Sequence, residues 1–384
     1  MNAKKAMKIT AIVLASAIGL VILILGGYVA YVAIQFYRIP DMTTLKTENA
    51  RTQSVSAETE YEIVSYNLGF GAYSPEYTFF MDVGIMNDGT EVVGKYAKGI
   101  SIADVEKNVA GQLAVVKELN PDFCFFQEVD EKADRSYGIN MLERAKKALD
   151  GHCSVYAENF HTADLFYPLN DPIGRTNAGI LTMSRYKVDK AVRRSFPITS
   201  SFIDKLFDLD RCFAVQYLPI ENSDKKLVLI NLHMSAYDEG GTIRAKQLEM
   251  LNGVLAEERD AGNYVIAGGD FNHCLIADRF DSDAQALAYF ESGQKTPDWV
   301  KNSVLHQAEI ASGFTIAANI NASTCRGADM PYEKGVTYST VIDGFLVSDN
   351  VTIIEERTVD TDYAYSDHNP VIMRFKLNSR QSAE

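Results

Sequence analysis

Six short stretches of this 384-residue sequence set an acid, an amide or an imidazole beside an apolar run. They are "SYNLG" with Asn67, "QEV" with Glu128, "NLH" with His233, "GGDFN" with Asp270 and Asn272, "IDGFLVS" with Asp343, and "SDHNPV" with Asp367 and His368. Metal-assisted phosphoester cleavage needs hard oxygen ligands, a group that activates water, and donors for the phosphoryl oxygens. Asp, Glu, Asn and His supply all three. Taken singly, each residue also fits a turn or a cap, as "DG" and "DFN" do. Strand alternation puts Asp270 and Asn272 on one face, and Gly268-Gly269 permits close backbone approach.

The elements that must position these groups follow from periodicity. Strands are predicted at 61–70, 122–129, 177–186, 211–220, 226–236, 263–273, 341–350 and 370–377. Helical spacing of Val105, Val109, Leu113, Val116 and Leu119 marks 102–120 as a helix ended by Asn120-Pro121, and 241–262 is a second. Hairpin-like and strand–helix–strand units together imply sheets layered between helices, an α/β domain. With no internal linker, one catalytic domain over 61–377 is expected, followed by a tail at 378–384.

In this order the six blocks resemble the endonuclease/exonuclease/phosphatase superfamily, across nearly all of 61–377. The superfamily includes deoxyribonucleases, abasic-site endonucleases, sphingomyelinases and inositol polyphosphate phosphatases. The resemblance implies a four-layered α/β sandwich, two face-to-face sheets with helices outside. It implies a metal site at Asn67, Glu128 and Asp367, holding Mg²⁺, with Mn²⁺ or Ca²⁺ as alternatives. Asp270 would orient or deprotonate the attacking water, Asn272 would position it or hold a phosphate oxygen, and His233 would be a second donor to the phosphoryl group. His368 would contact the scissile phosphate with Asp343 on its far ring nitrogen. The formal base and the number of metals stay open. Arg175 and Arg326 lie in loops that could face the site and bind substrate phosphate.

Other features narrow the function. The net charge of −14 argues against broad nucleic-acid binding through a basic face, though not against a nuclease using a bound cation. Five cysteines without a CxxC pair give no disulfide or zinc framework, and His273-Cys274 lacks further ligands at zinc spacing. His152, His161 and His306 belong to no motif. The aromatic stretch 70–84 reads as core and loop packing that could wall a cleft.

After "MNAKKAMK" the chain is uncharged from Ile9 to Ile34, long enough for the roughly 30 Å bilayer core. Residues 1–8 read as a cytoplasmic basic terminus, 9–36 as a transmembrane signal-anchor and 37–60 as a polar stalk. The lysines before the span place the catalytic domain outside the cytoplasm. The expected function is a membrane-anchored, metal-dependent phosphoester hydrolase acting on a lipid head group, a small phosphoester or a nucleic acid. The alternatives are an extracellular nuclease of the same superfamily and a catalytically silent binding domain. No G-x-S-x-G elbow supports a serine hydrolase. The expected partners are the phosphoester and the membrane, with no protein partner. Specificity is expected in the segments 70–100, 160–176, 199–210 and 277–335.

Overall fold

Along "YEIVSYN" the side chains divide by parity. Tyr61 and Ile63 are buried in one cluster, Val64 and Tyr66 in another. "FCFF" repeats the pattern, with Phe123 and Phe125 on one side and Cys124 and Phe126 on the other. A strand that is apolar on both faces must be covered on both, which forces a layered arrangement.

The structure, a computed structural model, describes residues 3–199, 201, 209–236 and 241–378. Most of the 199–210 segment and of the C-terminal tail thus lies outside the described residues. In chain order the strands begin with β1 (Thr43–Thr44), β2 (Thr47–Glu48), β3 (Glu60–Asn67), β4 (Val83–Ile85), β5 (Glu91–Val93) and β6 (Phe123–Ala133). They continue with β7 (Cys153–His161), β8 (Thr176–Ser184), β9 (Lys190–Ser195), β10 (Cys212–Pro219), β11 (Lys226–His233) and β12 (Tyr264–Asp270). The last are β13 (Phe314–Ala317), β14 (Cys325–Arg326), β15 (Ser339–Thr340), β16 (Asp343–Ser348), β17 (Val351–Thr358) and β18 (Val371–Leu377). The longer helices are α1 (Ala3–Gln35), α2 (Ile102–Leu119), α3 (Met141–Ala148) and α4 (Thr242–Asp260).

Two seven-stranded sheets result, ordered β17-β18-β3-β6-β8-β7-β2 and β1-β9-β10-β11-β12-β16-β13. Tyr61, Ile63, Phe123, Phe125 and Phe375 of the first pack against Leu218, Leu229, Ile266 and Phe345 of the second. Outside, α2 and α3 cover the first sheet and α4 covers the second. The expected four-layered sandwich is therefore present. Ser101 caps α2 by accepting the Asp104 N–H, and Asn120, left-handed at φ 52°, ends it before Pro121.

Each sheet contains one parallel pair, β3 with β6 and β11 with β12. The crossovers that parallel pairing requires contain α2 and α4. Asn67 at the end of β3 meets Asp270 at the end of β12. Both pairs therefore point their C-terminal ends the same way, carrying Asn67, Glu128, His233 and Asp270 to one end of the sandwich. Antiparallel β16 begins there, with Asp343 paired to Asp270.

The N-terminal region departs from the stalk expected at 37–60. β1 adds to the edge of β9 and β2 to the edge of β7. Val55 is fully buried and bridges to Ile220, and Arg38 pairs with Asp210 at 2.7 Å. A polar, aperiodic composition hides two edge strands of two residues each, too short to leave a pattern. α1 is apolar, almost wholly exposed, and long enough to cross a membrane. Val55→Asp should lower stability by about 3 kcal/mol or more by burying an unpaired charge, read as a shifted urea midpoint. An unshifted midpoint would mean that the strap does not bear on the fold.

Candidate active site

Glu128 owes its position to an irregularity. The pairing of β6 with β8 runs Phe126 to Leu181 and then Val129 to Gly179, so one extra residue is accommodated on β6. Glu128 sits in this bulge at φ 54°, left-handed backbone that a glutamate adopts at a cost. Asn67, at the end of the neighbouring strand, donates from Nδ2 to Glu128 Oε1 at 3.3 Å and to Asp270 Oδ2 at 3.0 Å. Its Oδ1 accepts the Gly69 N–H at 2.9 Å.

Asp270 Oδ2 is the centre of the cluster. Besides Asn67, it faces His233 Nε2 at 3.4 Å and His368 Nε2 at 3.8 Å. Oδ1 accepts the Asn272 N–H at 2.8 Å, and the Asn272 amide donates to the Met234 carbonyl at 2.9 Å. Gly269 precedes it at φ 146°, and a Cβ there would stand 2.0 Å from the Leu232 carbonyl oxygen. Burial, with the Asp343 charge adding to it, pushes Asp270 up to about 7 against the opposing pull of His368.

The two imidazoles are driven apart. Burial would make both neutral, but the Asp343 carboxylate, 2.8 Å from His368 Nδ1, outweighs it and holds that ring well above its ordinary value. His233 has no such partner. Burial, then the positive charges of Arg211, His368 and Arg135, push it well below. The site thus pairs an imidazolium with a neutral imidazole across one aspartate.

Two groups could hold a cation. Asp270, Asp343 and His368 offer ligand atoms within 4.8 Å of one another. Proximity there reflects a hydrogen bond, since an imidazolium is a donor and cannot ligate. Glu128 and Asp367 fit better. The half-buried Asp367 carboxyl is pushed up to about 6, first by desolvation and then by the Glu128 charge, with His368 and Arg326 opposing. A hard dication between such carboxylates would offset both penalties. Room is left for Asp367 by Gly69, where a Cβ would lie 2.8 Å from Asp367 Oδ1.

Residues 64–368 match the model of the Endonuclease/Exonuclease/phosphatase family. The chain belongs to this family. Endonuclease/exonuclease/phosphatase members are phosphoester hydrolases that typically use divalent metal ions. A family protein from Beutenbergia cavernae DSM 12333 superposes with a TM-score of 0.51 at 15% identity, over 84% of this chain and 73% of that one. TDP2 from D. rerio, solved with a single strand DNA product, gives 0.50 at 15% identity, over 83% and 100%. The human Nocturnin catalytic domain with bound sulfate gives 0.49 at 14%, over 87% and 98%. At these identities the likeness concerns the fold. No curated protein matched the chain by sequence.

Of the residues expected from the sequence, Asn67, Glu128, His233, Asp270, Asn272, Asp343, Asp367 and His368 are brought together at one end of the sandwich. The two loop arginines are used otherwise. Arg175 is exposed, with its guanidinium on Asp164 at 3.0 Å and Gln35 at 3.4 Å. Arg326 is buried and donates to the carbonyls of Gly327 and Ser74, each at 2.9 Å, bracing the 70–80 segment. Arg326 still brings charge to the site through Asp367, and two further arginines do so through His233. Arg211 bonds the Met234 carbonyl at 3.0 Å while its buried Nε makes no hydrogen bond. Arg135 pairs with Asp130 at 2.7 Å and stacks over Phe70 at 4.1 Å. Their only sequence signal was nearness to a strand end, Arg211 just before β10 and Arg135 just after β6.

Raised carboxyls have a definite pH signature. In metal-free protein the native state keeps protons that the unfolded chain has lost between about pH 4 and the folded values, so these groups subtract stability as pH rises through that window. Asp367→Asn removes one of them. The stability of wild type relative to this variant should fall by roughly 1–3 kcal/mol from about pH 4 to about pH 6, measured by urea denaturation. A flat difference would contradict the environment described for Asp367.

Proposed function

We propose that the protein is a membrane-anchored, Mg²⁺-dependent phosphoester hydrolase whose catalytic domain lies outside the cytoplasm. The observation that carries the chemistry is His368, clamped by Asp343 on Nδ1 and presenting Nε2 toward Asp270. Glu128 and Asp367 would hold the cation, with Asn67 orienting Glu128. A bound Mg²⁺ would supply positive charge to the phosphoryl oxygens and lower the pKa of a nearby water.

The chain's own residues account for the rest. Asp270, poised near neutrality, takes the proton of the attacking water, and Asn67 and Asn272 fix that carboxylate. The His368 imidazolium donates to the phosphoryl oxygen on which charge grows, and burial of the ring strengthens that contact. Asp343 keeps the His368 ring protonated and aligned. Neutral His233 offers one further N–H, and Arg211 adds charge behind it. Attack is in line, with catalysis drawn from positioning and preorganised charge.

His368→Ala and Glu128→Ala should each lower turnover of an aryl phosphodiester with Mg²⁺ by about 10²–10⁴-fold. Full activity in either would refute the assigned role. If wild type with Mg²⁺ cleaves no phosphodiester, phosphomonoester, lipid or nucleic acid, the hydrolase reading falls.

Mg²⁺ should also raise the melting temperature more at about pH 7.5 than at about pH 5, where Asp367 is protonated. Asp367→Asn should abolish that difference. The anchor reading is tested by adding protease to intact cells, which should remove the domain only if it is outside.

A further inference from the structure

Strand direction fixes which loops share the catalytic end. β8 runs antiparallel to β6, so Thr176 lies opposite Ala133, beyond Glu128. β7 runs antiparallel to β8 and returns His161 to the same end, opposite Asn177. The β7–β8 loop, 162–175, therefore stands on the rim of the site. So does the segment from 68 onward, which leaves β3 just after Asn67.

α1 is docked on this rim. The Tyr28 hydroxyl accepts the Phe166 N–H at 3.1 Å, and the two rings lie 5.5 Å apart. The Tyr31 hydroxyl donates to Asp164 Oδ2 at 2.9 Å, and Val32 is buried with Ala163. These contacts begin at Tyr28. The uncharged helix from Ile9 to Gly27 measures about 28 Å, which matches the roughly 30 Å hydrocarbon core. A span seated there puts Lys8 at one boundary and Tyr28 with Tyr31 at the other, the depth where tyrosines gather.

The rim loop is then level with the lipid head groups, and its most exposed side chains are apolar, beside the polar Asn170 and Arg175. Phe166 is 55% exposed, Tyr167 65% and Leu169 87%. Tyr167 reaches Phe80 at 5.6 Å, and beyond it Met81 and Val83 are each more than half exposed. Such a continuous apolar ridge is an interaction surface by its chemistry, and the adjoining span determines what it meets.

We propose that this ridge sits in the head-group layer of the membrane that α1 crosses, so that the catalytic end faces the bilayer and the substrate is a phosphoester lipid of that leaflet. The seating rests on the anchor reading, and the substrate class also rests on the hydrolase reading.

The full-length protein in phosphatidylcholine–phosphatidylglycerol vesicles tests both. All five native cysteines are buried, so Leu169→Cys can carry a polarity-sensitive fluorophore. Asp224→Cys, in the β10–β11 turn at the opposite end, is the control. The label at 169 should be quenched by lipid-borne nitroxide and shielded from aqueous iodide, and the label at 224 the reverse. A label at 169 in water overturns the seating.

Met81→Ser with Leu169→Ser should lower turnover of vesicle phospholipid by about tenfold or more, leaving a soluble aryl phosphodiester within about twofold. Equal loss on both substrates, or wild type that cleaves only the soluble one, overturns the lipid assignment. Inactivity on both sinks the hydrolase reading and the substrate class with it, while the label still decides the seating.

Discussion

The hydrogen bond from Asn67 to Asp270 joins the two sheets at the one place where their separation decides the chemistry. Asn67 ends a strand of the first sheet and Asp270 a strand of the second, 3.0 Å apart. Beneath them Gln127 donates to Asn231 at 2.8 Å, and Asn231 donates onward to the Leu181 carbonyl at 3.1 Å. Apolar packing between sheets is non-directional and would tolerate a slide. These buried polar links would not, since an offset leaves each donor unpaired at about 1–3 kcal/mol. The sheets are thereby held in register, and with them the distance from Glu128 to the histidines.

Burial then gives the site its protonation pattern. Both imidazoles lose hydration, so neutrality is their default and charge survives only where a partner restores it. Asp343 restores it for His368 and for no other ring. One buried carboxylate on β16 thus distinguishes two imidazoles that the sequence presents as equals.

Most of the cluster was legible in the sequence because strand ends are local features. A polar residue closing an apolar run can be seen without knowing what pairs with it. What pairs with it cannot. The bulge that turns Glu128 outward is a mismatch between β6 and β8, strands whose paired residues are about 50 positions apart, and the letters "QEV" hold no trace of it. Gln127 and Asn231 lie inside two of the informative blocks, yet their role as a bolt between sheets is a tertiary fact. The arginines show the converse. Arg175 and Arg326 carried the right chemistry in the right loops, but a guanidinium has five donors and takes the nearest acceptors, here Asp164 and two backbone carbonyls. β17 went unread because its solvent-facing positions dilute the apolar signal, and β7 and β9 because polar residues interrupt theirs even where they are covered.

The strap between α1 and β3 has a consequence for the protein's colloidal behaviour. A sandwich of open sheets ends in strands with unsatisfied backbone groups, templates on which another molecule can pair. β2 lies over β7 and β1 over β9, so the segment that joins α1 to the domain also covers one flank of each sheet. Cleavage just after it would bare both flanks together. The truncated domain would then be prone to self-association, so the strap is a guard against aggregation built into the fold.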